Sequence, residues 1–345
     1  MYKSHKEIFR QDISLEETLR YVLSMEKEIN DFFIRNEFDE IVFVACGSSY
    51  WLSLSAVETF SETIGIRCSA ITSGDVVMNP DQYVNRYGKP LIIAPSRSGN
   101  TTETIKAIDF LKERYSCPVL AIVEYEDTKL GIRADLLLNI PWAKEISICQ
   151  TRSFSNLYLV CILIPAILKN NQAFLSEIRQ YINLFENLSG EAEKYIKNIF
   201  DKNDFEGLIT LGNGKLFGLI CEGAYITVEM AQAPAHFYYT LEFRHGPIVL
   251  LDETYLVVLC SMGNQDELEI NLIKDIQAKG ARVLCIADSD NIIQADFSLT
   301  IGKKVPQEIT GLYISFVTQA IAYYKALALE VNPDVPRDLV QWIQI

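Results

Sequence analysis

The sequence predicts an α/β protein made of two tandem doubly wound parallel sheets, each a three-layer α/β/α unit, preceded by a helical lead. Three observations carry this. Near-continuous apolar strands alternate with segments of helical period, the pattern of parallel strands covered by helices on both faces. Four such strands recur in the same order in the two halves of the 345-residue chain. Glycine and small hydroxyl residues cluster where strands give way to helices, the place where sheets of this kind gather their ligands.

Taken in order, residues 1–35 form the lead, with an amphipathic helix over 14–33 and with Ser14 and Glu17 placed as a capping box. Residues 36–175 make the first domain, with apolar strands at 38–47, 90–96, 117–124 and 134–140 and a helix at 102–115. Residues 190–330 make the second, with strands at 205–214, 254–261, 281–288 and 295–301 and a helix at 267–279. Chance likeness among apolar strands is the rival explanation, but four matches at a nearly constant offset favour duplication. Residues 331–345 form a tail expected to close the site.

Composition excludes several classes. With 49% hydrophobic and 22% charged residues the chain is an ordinary globular one. No apolar stretch reaches the ~18 residues of a membrane helix, and the N-terminus lacks the apolar core of a signal peptide, so a cytoplasmic protein is expected. The eight cysteines form no CxxC pair and most lie in apolar runs, which argues against a disulfide framework or zinc site. A net charge of −14 argues against nucleic acid and anionic membranes as partners, and an anionic substrate must then be held by local donors.

The strongest local signal lies between Leu91 and Thr104, where Leu-Ile-Ile-Ala-Pro breaks into Ser96, Ser98, Gly99, Thr101 and Thr102 before a helix begins. Small hydroxyls and a glycine at a strand–helix junction let donors approach an anion, with the positive end of the helix dipole behind them. A helix N-cap alone would need one hydroxyl, not four. The neighbouring strand leaves through Cys46-Gly-Ser-Ser49 in the same manner, which makes Ser49 a further donor candidate. In the second half the equivalent turn reads Ser261-Met-Gly-Asn-Gln-Asp266, whose aspartate would repel a dianion, so one phosphate site per chain is expected.

Five motifs then carry a family resemblance. Ala45-Cys-Gly-Ser-Ser-Tyr50, Ser96-Arg-Ser-Gly-Asn-Thr-Thr-Glu-Thr104, Glu145-Ile-Ser-Ile-Cys-Gln-Thr-Arg-Ser-Phe154, Glu222-Gly-Ala-Tyr-Ile-Thr-Val-Glu229 and Glu242-Phe-Arg-His-Gly-Pro247 resemble, in this order, those of sugar isomerase (SIS) domain proteins. The likeness is to the double-domain isomerase portion of glucosamine-6-phosphate synthase and to stand-alone amino-sugar-phosphate deaminases and fructosamine-6-phosphate deglycases. The resemblance implies a phosphorylated sugar or amino-sugar substrate whose 6-phosphate is held by Ser49, Ser96, Arg97, Ser98 and Thr101. It implies sugar contacts at Gly47, Ser48, Cys149, Gln150 and Gln341. It also implies a proton-shuttling Glu229, a second glutamate at Glu222, and a homodimer in which His245 reaches the neighbouring subunit's site and helps open the sugar ring. No metal or organic cofactor is implied.

The residues themselves agree with that chemistry. Glu222 and Glu229 stand seven apart in an apolar segment, on one helix face and about 10.5 Å apart along the axis. A partly desolvated carboxylate is the kind of base that proton transfer between C1 and C2 of an open-chain sugar needs. The bland alternative for such a pair is a solvated helix face, and for a lone histidine such as His245 a structural role. Two readings of Arg97 stay open, a charge-assisted bond to phosphate or exposure to solvent. Two departures matter: Gln341 stands where the synthase-type isomerase has its terminal lysine, and Ile226 replaces a lysine between the two glutamates. With no glutamine-hydrolysing domain ahead of the lead, a complete synthase is not expected. What remains is amine removal from a 6-phosphorylated amino sugar or fructosamine, with a plain aldose–ketose isomerase and a non-catalytic sugar-phosphate sensor as alternatives.

Overall fold

The computed structural model describes residues 2–261, 267–288 and 294–340. The lead is three helices, α1 (Lys3–Phe9), α2 (Gln11–Ser24) and α3 (Glu26–Arg35). There follow β1 (Glu40–Ala45), α4 (Ser48–Ile64), β2 (Arg67–Thr72), α5 (Ser73–Met78), β3 (Pro90–Ser96), α6 (Thr102–Tyr115), β4 (Val119–Val123), α7 (Lys129–Arg133), β5 (Leu136–Asn139), α8 (Arg152–Leu168) and α9 (Gln172–Lys202). The second series is β6 (Gly207–Gly212), α10 (Phe217–Ala231), β7 (Ala235–Tyr239), β8 (Tyr255–Cys260), α11 (Glu267–Ala278), β9 (Arg282–Ala287), β10 (Phe297–Thr300) and α12 (Gln307–Ala328). The chain divides into two compact units. A first-sheet unit is made chiefly of Asp12–Glu145 and Arg152–Ile182, and a second-sheet unit of Met1–Gln11, Ile146–Thr151 and Asn183–Leu339.

The first sheet is wholly parallel with strand order β2-β1-β3-β4-β5, Glu40 of β1 pairing with Arg67 on one side and Pro90 on the other. Successive side chains of a strand point to opposite faces. Val42, Val44, Ile92, Ala94, Val119, Ala121 and Val123 pack on one face against Val76 of α5, Ile105, Ile108 and Leu111 of α6, and Leu130 of α7. The alternate residues Ile41, Phe43, Leu91, Ile93, Leu120 and Ile122 are equally buried, and Phe43 meets Phe60 of α4 edge to face at 5.3 Å. Two covered faces explain why these strands read as unbroken apolar runs. Each fully buried aliphatic side chain contributes about 1.5–3 kcal/mol.

The second sheet runs β10-β9-β8-β6-β7, the same topology strand for strand. Ile209, Leu211, Val257, Leu259, Val283 and Cys285 face Leu272, Ile273 and Ile276 of α11. Helices α10 and α12 pack together in this unit, so closely that a Cβ on Gly223 would lie 2.7 Å from Cγ2 of Thr318.

The eight strands of the repeat are present, and the sequence reading missed a fifth in each half. Both missed strands, β2 and β7, are sheet edges: Ile71 is the one fully buried residue of β2, and β7 has none. The edges β5 and β10 are as exposed, so position alone does not hide a strand; β2 and β7 lack an aliphatic run, reading Arg67-Cys-Ser-Ala-Ile-Thr72 and Ala235-His-Phe-Tyr-Tyr239. The capping box is a second correction. Helix α2 begins at Gln11, so Ser14 lies inside it, and its buried hydroxyl accepts a hydrogen bond from Nδ2 of Asn156 at 2.9 Å.

Candidate functional site

In the 2-1-3-4-5 topology the strand order reverses between β1 and β3, and the helices that follow these two strands diverge to opposite faces. The crevice so formed at the strands' carboxyl ends is where such sheets bind ligands. The first-sheet unit puts both hydroxyl-bearing loops there. After β1, Gly47 takes φ +56° and caps α4, its carbonyl accepting from Tyr50 N at 2.8 Å and Trp51 N at 3.2 Å. Ser48 and Ser49 form the buried first turn of that helix. After β3, residues 97–101 wrap into the N-terminus of α6, with Thr101 as the N-cap residue. Two helix N-termini thus end beside the same pair of strands, where unpaired N–H groups and the dipole favour an anion.

Within the second loop the serines first build the turn. Ser96 Oγ accepts from Gly99 N at 3.1 Å, Ser98 Oγ accepts from Asn100 N at 3.1 Å, and Ser98 Oγ lies 3.4 Å from Thr101 Oγ1. A hydroxyl that accepts one bond still has its own proton to donate, so the turn and anion binding are compatible. Gly99 is required twice over. Its φ is +60°, and a Cβ there would lie 2.6 Å from Cβ and Oγ1 of Thr128. Thr128 is itself fixed, because its hydroxyl caps α7 by accepting from Gly131 N at 3.0 Å. The glycine carbonyl accepts from Leu130 N at 3.0 Å, which ties the loop to α7.

Arg97 does not face solvent. Its side chain is 7% exposed, and NH1 stands 3.7 Å from Oε2 of the fully buried Glu145. Glu145 also accepts from Ser153 N at 3.3 Å and from the Ser153 hydroxyl. Behind them, at the end of β4, lies a residue the sequence reading passed over. Glu124 is completely buried, and neither carboxylate oxygen has a hydrogen-bond partner among the described residues. Burial first, and the neighbouring Glu145 second, push its carboxyl well above the ordinary value of 4.5, against the pull of Arg97, Arg152 and Lys144. The only hint in the sequence was an acidic residue closing an apolar strand.

In the second-sheet unit α10 carries both glutamates. Glu222 is 2% exposed and Glu229 is half-buried; Ile226 between them is fully buried, while Tyr225 and Val228 are exposed. The helix is therefore a core helix, not a solvated face. His245 ends a 3-10 turn over Glu242–Arg244, is exposed, and donates its N–H to Glu242 O at 3.0 Å. Gly246 follows at φ +129°. Cys149 is buried in this unit, and Gln150 is half-buried with an Oε1 that is sealed from solvent and without a hydrogen-bond partner among the described residues.

At the second switch point, between β6 and β8, internal carboxylates take up the groups that would face an anion. Ser261, matched by register to Ser96, donates to Glu269 Oε2 at 2.7 Å, and Lys215 pairs with Glu308 at 2.7 Å. Residues 262–266, which carry the divergent turn and Asp266, and Gln341 of the tail lie outside the described residues. Among the described residues no group of three or more His, Cys, Asp or Glu is placed to hold a metal, and no helix is long and apolar enough to cross a membrane.

Two parallel sheets of the same 2-1-3-4-5 order, each flanked by helices, define a tandem doubly wound α/β protein. The SIS domain model matches residues 34–169 and 207–329, and the chain belongs to that family. It is 22% identical over 360 residues to the glutamine–fructose-6-phosphate aminotransferase [isomerizing] of Vibrio vulnificus, covering 99% of this chain and 58% of the relative. The Methanosarcina mazei protein of the same name is 27% identical over 365 residues, covering 99% and 57%. The chain thus spans somewhat under three fifths of the length of the curated relatives it matches. Among solved structures, the glucosamine-6-phosphate deaminase of Thermotoga maritima superposes with a TM-score of 0.76 at 27% identity, over 95% of this chain and 99% of that one. The tagatose-6-phosphate ketose/aldose isomerase of Escherichia coli gives 0.87 at 21% identity over 99% and 95%, a likeness of fold.

Proposed function

We propose that this chain is a phosphosugar enzyme that moves a proton between C1 and C2 of a 6-phosphorylated amino sugar or fructosamine and releases the amine. The observation that carries the reading is Glu229, a half-buried carboxylate on the largely buried helix α10, in a chain 27% identical to a glucosamine-6-phosphate deaminase. Ser49, Ser96, Ser98 and Thr101 take the phosphate through their hydroxyl protons, and Arg97 adds positive charge while Glu145 holds its guanidinium. Gly47, Ser48, Cys149 and Gln150 contact the sugar. Glu229 removes the proton from one carbon of the open-chain form and returns it to the other, the amine-bearing carbon becomes an imine, and water adds there to expel the amine. Glu222 supports that carboxylate from the same helix. His245, which is exposed, assists ring opening at O5, and the active species is a homodimer.

Amine release from glucosamine-6-phosphate, galactosamine-6-phosphate and fructosyl-amino-acid 6-phosphates, with ketose formation followed in parallel, tests this. Release from one of them supports the proposal and identifies the substrate. Ketose formation without amine favours a plain aldose–ketose isomerase, and binding with neither favours a sensor.

A further inference from the structure

Segment Ile146–Thr151 of the second-sheet unit has no helix or strand of its own, yet its backbone is fastened on both sides of Cys149 and Gln150. The carboxylate of Glu7, on α1 and 4% exposed, accepts from Ile146 N at 2.6 Å, from Ser147 N at 3.3 Å and from the Ser147 hydroxyl at 2.5 Å. The next amide, Ile148 N, donates to the carbonyl of Asp334 at 3.0 Å. At the far end Thr151 O accepts from Gln319 Nε2 of α12 at 3.0 Å, and Gln319 Oε1 accepts from Gln11 Nε2 at 2.6 Å. The side chain of Asp334 closes the circuit. It accepts from Lys3 N at 2.8 Å and from both Ser4 N and Ser4 Oγ at 2.7 Å, and so caps the start of the helix that carries Glu7.

These bonds give a fixed path to a segment that has no helix or strand of its own. A seven-residue helix is not stable by itself in water, and here a carboxylate at its positive end and a buried face hold it. Burying the Glu7 carboxylate costs free energy that charge-assisted bonds to two amides and a hydroxyl offset, and those bonds fix the chain at the residues just before Cys149 and Gln150. We propose that Glu7 and Asp334 are positioning residues for the sugar: they form a clasp that holds Ile146–Thr151 so that Cys149 and Gln150 meet it, and they act through that segment, not by touching substrate. This rests on the reading above that the segment contacts the sugar.

Titration of the full chain with inorganic phosphate and with fructose-6-phosphate tests it, because the ratio of the two dissociation constants isolates what the sugar adds. In Glu7→Ala the amides of Ile146 and Ser147 are expected to exchange hydrogen at least tenfold faster. The fructose-6-phosphate constant should rise at least tenfold, with the phosphate constant unchanged within twofold. Glu7→Gln, which keeps one acceptor oxygen, should recover part of the loss. Ser147→Ala, which leaves the Glu7 charge in place, serves if Glu7→Ala does not fold, and its expected loss of the sugar increment is about threefold. Faster exchange with an unchanged ratio overturns the proposal, as does a parallel rise of both constants. Wild-type protein that binds fructose-6-phosphate no tighter than phosphate overturns the reading that Ile146–Thr151 contacts the sugar, and the clasp's role with it, while amine release from the panel above tests the reaction separately.

Discussion

Replacing Gly99 by alanine should disable the loop between β3 and α6, and the structure sets the size of the effect. The residue sits at φ +60°, where an L side chain costs about 1–2 kcal/mol. Its new Cβ would also lie 2.6 Å from Cβ and Oγ1 of Thr128 and 2.7 Å from Cγ2, roughly 1 Å inside normal contact. Thr128 is buried and cannot retreat without giving up its cap on α7, worth about 1 kcal/mol. Strain and lost cap together give about 2–3 kcal/mol, measured as the shift in urea denaturation between variant and wild type. If the loop moves instead, the bond from Gly99 N to Ser96 Oγ breaks, and phosphate affinity should fall about tenfold, the worth of ~1.4 kcal/mol. Thr128→Gly removes the obstructing atoms while keeping a residue tolerated at an N-cap. In that background Gly99→Ala should cost only the dihedral part, about 1–2 kcal/mol. An equal cost in both backgrounds, or a cost below about 0.5 kcal/mol in wild type, would refute the reasoning.

Other consequences are open to direct measurement. Ser98→Ala should weaken inorganic phosphate and every 6-phosphosugar alike, by about tenfold, as loss of a hydrogen bond to a charged group does, and a loss that depended on the sugar would contradict the phosphate assignment. Glu229→Gln should leave the dissociation constant of a substrate within about threefold and lower turnover by about 10²–10⁴, the usual worth of a general base; equal losses of binding and turnover would remove Glu229 from that role. Glu124→Gln should stabilise the protein increasingly as pH rises. The folded state keeps a proton that the unfolded chain releases above the ordinary value of 4.5, so wild-type stability falls from there up to the raised folded value, by about 1.4 kcal/mol per tenfold shift in acidity, while glutamine has nothing to titrate. Denaturation at pH 4 and pH 7 should show the variant's advantage growing, and parallel curves would mean that Glu124 is ionised in the fold.

What was legible in the sequence follows from how far each interaction reaches along the chain. Strands buried on both faces announce themselves as apolar runs, so β1, β3, β4 and their counterparts could be placed within a residue or two, and α6 begins and ends at the residues expected. Strands β2 and β7 could not, because Arg67-Cys-Ser-Ala-Ile-Thr72 and Ala235-His-Phe-Tyr-Tyr239 mix polar and aromatic residues and offer no aliphatic run. The serine loop was visible because hydroxyls, glycine and helix start are neighbours in sequence. Local rules failed at Ser14, whose hydroxyl is claimed by Asn156, 142 residues away. The placement of Arg97 was undecided because the partner that settles it, Glu145, comes from another loop. Asp334 and the Ser4 amide it caps are 330 residues apart, a distance over which sequence pattern carries no signal. The burial of Glu124 is a property of the assembled sheet, not of the five residues of β4.

Proton movement between C1 and C2 is common to deamination, deglycation and isomerisation, so its detection tests the central claim before the substrate is known. The chain would be incubated in D₂O with glucosamine-6-phosphate, fructose-6-phosphate and a fructosyl-amino-acid 6-phosphate, and deuterium at C1 and C2 followed by NMR. Incorporation into at least one of them is expected with the wild-type protein, and none above background with Glu229→Gln. Tight binding of a 6-phosphosugar with no carbon-bound deuterium, or incorporation that survives in Glu229→Gln, would contradict it.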